Sequence, residues 1–259
     1  MSKEGSECDF EPRFCNTNVF SELKHLYDEC VRASGKGFSN ALELFESIAE
    51  GTIRPRVTGP LVSRAIAKKG PVEAQRSADQ RWRSCKGHLY EYAVCRALHE
   101  VIANNPQLKQ KLEVVHGSKL SDFTRSQLVI RNWSEILPDV DFAIVNKSCG
   151  RVVAVLSCKT SLRERLTETA FWARELKPKG IDVIFITVDK DREIVADVNR
   201  YVVLHVLDYT IITEPSMYSS IVSEWRRRYG NKPDFKIVTS KVVSFRDISR
   251  LLQHYAAMC

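Results

Sequence analysis

Two aspartates, a serine and a lysine stand at the ends of two apolar runs in the middle of the chain. The first run reads Pro138-Asp139-Val140-Asp141-Phe142-Ala143-Ile144-Val145, the second Val153-Ala154-Val155-Leu156-Ser157-Cys158-Lys159. The residues between, Asn146 to Gly150, are turn formers, so the two runs read as a β-hairpin. Side chains alternate along a strand, which puts Ser157 and Lys159 on one face of the second arm. Asp139 and Asp141 likewise share a face near the start of the first. The hairpin brings these ends together and sets one or two carboxylates beside a lysine, at the end of an apolar sheet. Phosphodiester hydrolysis needs such a set. A carboxylate holds a divalent cation, which polarises a phosphoryl oxygen and acidifies a water. A lysine near that water helps to deprotonate it or stabilises the growing negative charge. The competing reading is an aspartate capping a turn and a lysine reaching out to solvent.

A third carboxylate lies upstream. Glu91 shares a helical face with Val94, Cys95, Leu98 and Ile102. A carboxylate on a core-facing stripe is costly unless it is paired or bound to a cation. A salt bridge to Arg83 or Lys86 is one reading. A metal ligand aimed at the sheet end is the other.

Pro138-Asp139 followed by Ser157-x-Lys159 resembles the PD-(D/E)xK nuclease superfamily, in the variant where serine replaces the second acid. Lys86-Gly87-His88-Leu89-Tyr90-Glu91 is similar to the helix that bears a catalytic glutamate in many members. Directly after Lys159 come Thr160-Ser161-Leu162-Arg163-Glu164-Arg165. This stretch resembles the recognition element of type II restriction endonucleases that read CC/GG-containing sites, the EcoRII-, PspGI-, AgeI- and BsaWI-like branch. Arginine is the best bidentate donor to guanine O6 and N7, and glutamate accepts from cytosine N4.

The resemblance covers roughly residues 83–190. It implies a PD-(D/E)xK core with a catalytic set of Asp139, Asp141, Glu91, Ser157 and Lys159. Asp139 or Asp141, together with Glu91, would hold Mg²⁺; Lys159 would assist the attacking water; Ser157 marks the vacated acid position. Arg163, Glu164 and Arg165 would read the CC/GG bases in the major groove of double-stranded DNA. A homodimer, or a higher assembly, on a palindromic site is implied as well. So are a cognate methyltransferase in the host system and a prokaryotic cytoplasm. One position departs from the family pattern: Trp172 stands where relatives often carry a further glutamate, and Glu168 and Glu175 are off register.

The elements that must position these residues form an α/β pattern. Residues 1–76 read as a small helical subdomain. Its helices are Phe20–Val31 and Asn40–Ala49, the latter with a capping-box-like start at Asn40 and Glu43 and a stop at Gly51, followed by a basic helix-like piece, Leu61–Lys69. Residues 77–259 read as the nuclease core. Here the expected order is helix Gly87–Asn104, a short strand Leu128–Ile130, the hairpin, helix Thr160–Lys177, strands Ile181–Val188 and Tyr201–Leu207, then helices Met217–Tyr229 and Phe245–Tyr255. That order predicts a mixed central sheet flanked by helices.

Composition sets the outer bounds. Of 259 residues, 44% are apolar and 27% charged, which fits a globular protein and argues against wholesale disorder. No apolar run is long enough to span a bilayer, so no membrane partner is expected. Lysine plus arginine number 39 against 32 acids, a net charge of +7 that suits a polyanionic partner. Arg226-Arg227-Arg228 is a candidate for phosphate contacts, although charge runs also form solvated faces; Arg64, Lys68 and Lys69 on the Leu61–Lys69 piece could contact DNA backbone or pack in a dimer. Eight cysteines show no Cys-x-x-Cys pair and no zinc-site spacing, and reduced thiols are expected. Two other functions remain open at this level: a structure-specific or repair nuclease of the same fold, and a non-catalytic DNA-binding regulator.

Overall fold

Helix α1 (Thr17–Ser34) opens where the side chain of Asn16 accepts the N–H groups of Asn18 and Val19, and it closes at Gly35 in the left-handed conformation. Phe20, Leu23, Tyr27 and Val31 make its buried stripe. The computed structural model describes residues 7–131, 134–161 and 165–259; the side chains of Arg64, Lys69 and Arg165 are outside that description. Internal contacts divide the chain into two units, residues 1–97 and 98–259.

In the first unit α2 (Phe38–Leu42) is followed by a π-helical turn, Ser47–Ile53, that runs directly into α3 (Arg54–Lys69). Gly51 therefore lies inside helical backbone instead of stopping it, and Asn40 is not a cap. The reason is tertiary. Glu50, in the π turn, accepts from Arg54 (2.8 Å), Trp82 (3.1 Å) and Lys86 (2.8 Å), which ties the turn to the next helix. That helix, α4 (Pro71–Ala103), begins sixteen residues before the expected Gly87. Ala74, Ala78, Trp82, Cys85 and Leu89 form one continuous buried stripe through Gly87, whose surroundings leave open space.

In the second unit α5 (Pro106–Lys111) leads into β1 (Leu112–His116). Then come α6 (Asp122–Leu128) and a separate two-residue pair, β2 (Ile130–Arg131) with β3 (Glu135–Ile136). The expected hairpin follows as β4 (Phe142–Asn146) and β5 (Arg151–Lys159). After it come α7 (Arg165–Leu176), β6 (Asp182–Thr187), α8 (Asp197–Tyr201), β7 (Tyr209–Ile212), α9 (Pro215–Tyr229), α10 (Phe235–Thr239), β8 (Val242–Ser244) and α11 (Ile248–Ala257). The main sheet has the order β1-β4-β5-β6-β7-β8. β1, β4 and β5 pair antiparallel; β5 through β8 pair parallel. Helices α7 and α9 pack with Val155, Val183 and Phe185 on one face. On the other, Tyr255 of α11 donates to Asp182 at 2.9 Å. Strands covered on both faces carry apolar runs instead of alternation, and β5 is buried from Val152 to Cys158.

Three expectations fail here. The strand expected over Leu128–Ile130 is displaced, because α6 runs through Leu128 and β2 begins only at Ile130. The apolar run Tyr201–Leu207 is not a strand: α8 continues as a π-helical turn, Val202–Val206, and the strand β7 begins two residues after the run. Val203, Leu204 and Leu207 are buried at helical spacing, and short apolar runs do not distinguish the two states by periodicity alone. The cysteines are not all reduced either. Cys8–Cys95, Cys15–Cys85 and Cys149–Cys259 are disulfides, while Cys30 and Cys158 keep their thiols. The partners stand 70 to 110 residues apart, so no local spacing announces them.

Candidate active site at the carboxyl end of strand β5

The parallel strands β5 and β6 end together, with Lys159 beside Thr187. Ligands of open α/β sheets bind at this edge, outside the carboxyl ends of the strands. β4 runs the other way, so its entry lies at the same edge. Phe142 pairs with Leu156, which sets Asp141 opposite Ser157. A register shift after Ile144 absorbs one extra residue of β5, and the alternation of Ser157 and Lys159 lies beyond it.

Asp141 is fixed from several sides. Its N–H donates to Leu156 O at 3.0 Å, and its carbonyl accepts the Gly117 N–H at 2.9 Å. Its Oδ2 accepts the Cys158 backbone N–H at 2.6 Å and the Lys159 ammonium at 2.8 Å; Oδ1 lies 3.2 Å from the same Nζ. The two side chains are only 14% and 15% exposed, so this ion pair is shielded from solvent and less screened than a surface pair. Ser157, buried, accepts from Thr169 of α7 at 3.4 Å. The structure thus brings together Asp141, Ser157 and Lys159. Asp139 lies outside the strand and is exposed, with buried Pro138 before it. Cys158 points into the core, as expected from the alternation.

Glu91 belongs to the first unit, on α4, and is 9% exposed. The competing reading, a salt bridge to Lys86, is not what the structure shows: Lys86 pairs with Glu46 and Glu50, while Glu91 faces His88 Nδ1 at 3.1 Å. Of the candidate base-reading residues, Arg163 and Glu164 lie outside the described residues. The backbone of Arg165 opens α7. Trp172 packs partly buried against the core of the sheet.

Two residues near the site gave no sequence signal. Thr169 looks like any polar residue of an amphipathic helix. Gly117 follows β1, a strand too short and too polar to stand out. A Cβ at Gly117 would sit 2.0 Å from Val140 O, so glycine is what lets the 140–141 backbone approach.

Residues 118–232 match the family model described as BsaWI restriction endonuclease type 2. That segment holds Asp139, Asp141, Ser157, Lys159 and Arg163–Arg165; Glu91 lies before it. The part of this chain that carries Asp141, Ser157 and Lys159 is similar to that family. Two relatives agree. MjaVIP of Methanocaldococcus jannaschii, named as a type II restriction enzyme, is 29% identical over 47% of this chain and 58% of its own length. HpyAORF263P of Helicobacter pylori, also named as a type II restriction enzyme, is 41% identical over 23% of this chain and 33% of its own. The chain thus spans less than two thirds of each of these relatives. Among solved structures, the restriction endonuclease PspGI in complex with substrate DNA superposes with a TM-score of 0.63 at 15% identity, over 98% of this chain and 96% of that one. The fold is therefore that of PspGI, a mixed sheet flanked by helices, as the order of elements implied. The resemblance to type II restriction endonucleases is carried by family match and relatives, and the fold agrees with it.

Proposed function

We propose that this protein is a type II restriction endonuclease: it cleaves both strands of DNA, with Mg²⁺, at a palindromic site containing a CC/GG core. The observation that carries this reading is the Lys159 ammonium 2.8 Å from Asp141 Oδ2 at the carboxyl end of β5. The family match over residues 118–232 supports the same chemistry.

Carboxylate oxygens are the donors a hard divalent cation takes, and Asp141 offers them at the end of β5; Asp139, as the alternative to Asp141, and Glu91 are the other carboxylates this reading assigns to the cation. When bound, the cation would neutralise charge on the phosphate and acidify a water. The chain's own groups do the rest. Asp141 is locked by backbone N–H and C=O partners, so its oxygens hold their place without reorganisation. Lys159 is held against Asp141 at the strand end, and in this reading it orients the attacking water or steadies the charge that grows there. Ser157, in the vacated acid position, accepts from Thr169 and so links β5 to α7. That link matters because Arg163 and Glu164 lie between the two elements in sequence and Arg165 is the first residue of α7. In this reading they contact guanine and cytosine edges in the major groove. A two-fold dimer would match a two-fold site, and a methyltransferase of the same specificity would protect host DNA.

The test is digestion of unmethylated plasmid with Mg²⁺, followed by sequencing of the cut ends. Discrete fragments with CC/GG at each terminus are expected. A continuous smear, or cutting confined to branched DNA, would replace this reading with a structure-specific nuclease. Tight DNA binding without any Mg²⁺-dependent cutting would replace it with a regulator.

A further inference from the structure

The carboxylate of Glu91 has a neighbourhood that its sequence does not announce. His88, one helical turn earlier on α4, places Nδ1 at 3.1 Å from Glu91 Oε2. Nε2 of the same ring accepts the backbone N–H of Phe14 at 3.4 Å. A neutral imidazole has one donor nitrogen and one acceptor. Acceptance at Nε2 therefore puts the proton on Nδ1, directed at the carboxylate. The ring is also packed between aromatic neighbours, Phe14 with centroids 6.5 Å away and Phe20 at 6.1 Å.

The segment that supplies Phe14 is not a loose terminus. Cys15 is bonded to Cys85, one turn before His88, and Cys8 to Cys95, one turn after Glu91. The N-terminal segment is thus stapled to α4 on both sides of the His88–Glu91 pair. Between the staples, the Phe14 backbone decides which imidazole nitrogen carries the proton.

We propose that His88 is a positioning residue for Glu91, and that the doubly stapled segment holds it in the tautomer that donates to the carboxylate. The proposal rests on the reading of Glu91 as a metal ligand. Partners of metal-ligating groups orient them, and their loss costs about 10- to 100-fold in metal affinity or activity.

The experiment is a Mg²⁺ titration of plasmid cleavage, with DNA affinity measured separately by anisotropy in EDTA. Glu91→Gln comes first and should abolish cleavage. His88→Ala should raise the Mg²⁺ concentration for half-maximal cutting by about 10- to 100-fold with DNA affinity unchanged. His88→Asn, whose amide nitrogen can donate from nearly the place of Nδ1, should recover most of that loss. Cys15→Ser with Cys85→Ser should shift the titration in the same direction as His88→Ala. If Glu91→Gln is inactive while His88→Ala titrates like wild type, the positioning role is overturned and the metal-ligand reading survives. Equal impairment of the Ala and Asn variants, with equal loss of thermal stability, also overturns it, because then only the bulk of the ring matters. A Glu91→Gln protein that cuts like wild type removes the metal-ligand reading and this proposal with it.

Discussion

At the scale of single residues, the account rests on how tightly Asp141 and Lys159 are held. Each is mostly shielded from solvent, and Asp141 also takes a backbone N–H from Cys158. Lys159→Ala and Asp141→Asn should each lower single-turnover cleavage by about 10²- to 10⁴-fold, the range for loss of a proton-transfer group. Circular dichroism should show the folded protein in both cases; an unfolded variant would mean that the pair is structural. Replacing Arg163 and Arg165 together with alanine should cost selectivity, at about 1–3 kcal/mol for each bidentate arginine–guanine pairing removed. Competition cleavage of oligonucleotides with single changes in the CC/GG core measures it, and an unaltered preference would contradict the base-reading role. The Asp141–Lys159 pair was legible because strand alternation and a short turn are local rules. The choice between Asp139 and Asp141 was not, since it depends on where β4 begins: Asp139 is outside the strand and exposed, while Asp141 sits opposite Ser157. Gly117 and Thr169 reach the site only through tertiary packing, and no residue pattern along the chain marks them.

At the scale of elements, the end of β6 carries a group with a clear pH signature. Asp189 follows the strand in the left-handed region at φ 51° and is 1% exposed. Burial pushes its carboxyl up to about 7, against the opposing pull of the Ile194 and Glu193 N–H groups. The folded protein then keeps a proton that the unfolded chain, with an ordinary value of 3.8, has released. Stability contributed by the protonated form is present below about 4 and is lost as pH rises towards about 7. Asp189→Asn keeps the hydrogen-bond acceptor and removes the charge, so its urea midpoint should vary less between pH 5 and about 7.5 than that of wild type. Equal slopes would show that Asp189 is ionised in the fold. In the first unit Glu50 has the opposite sign. Burial raises its carboxyl, but hydrogen bonds from Lys86, Trp82 and Arg54 outweigh that and hold it at about 2. Its contribution is complete above an ordinary 4.5 and is lost as pH falls through about 2. The elements themselves were unevenly legible. The hairpin and α9 follow from turn residues and a clean apolar stripe. The π-helical turns at Ser47–Ile53 and Val202–Val206 defeat a helical template because they add a residue per turn, and they are held by packing against residues distant in sequence.

At the scale of the whole molecule, three cross-links and a positive charge set the behaviour in solution. Cys149–Cys259 fastens the C-terminus to the β4–β5 turn, where Asn146 also donates to Tyr255 O at 3.0 Å. Each disulfide closes a long loop, and removal of one typically costs about 2–4 kcal/mol. Incubation with dithiothreitol should therefore lower the calorimetric unfolding temperature, and an unchanged temperature would mean the thiols are not paired. The net charge of +7 predicts DNA binding that weakens steeply as salt rises, with a log–log slope set by the number of phosphates neutralised. The central claim is that the end of β5 is a nuclease centre organised around Lys159. End-sequencing of plasmid treated with Mg²⁺ and either wild type or Lys159→Ala tests it most directly. The account predicts discrete CC/GG-containing ends from the wild type and intact plasmid from the variant. Equal cutting by the two proteins, or none by the wild type on any unmethylated DNA, would contradict it.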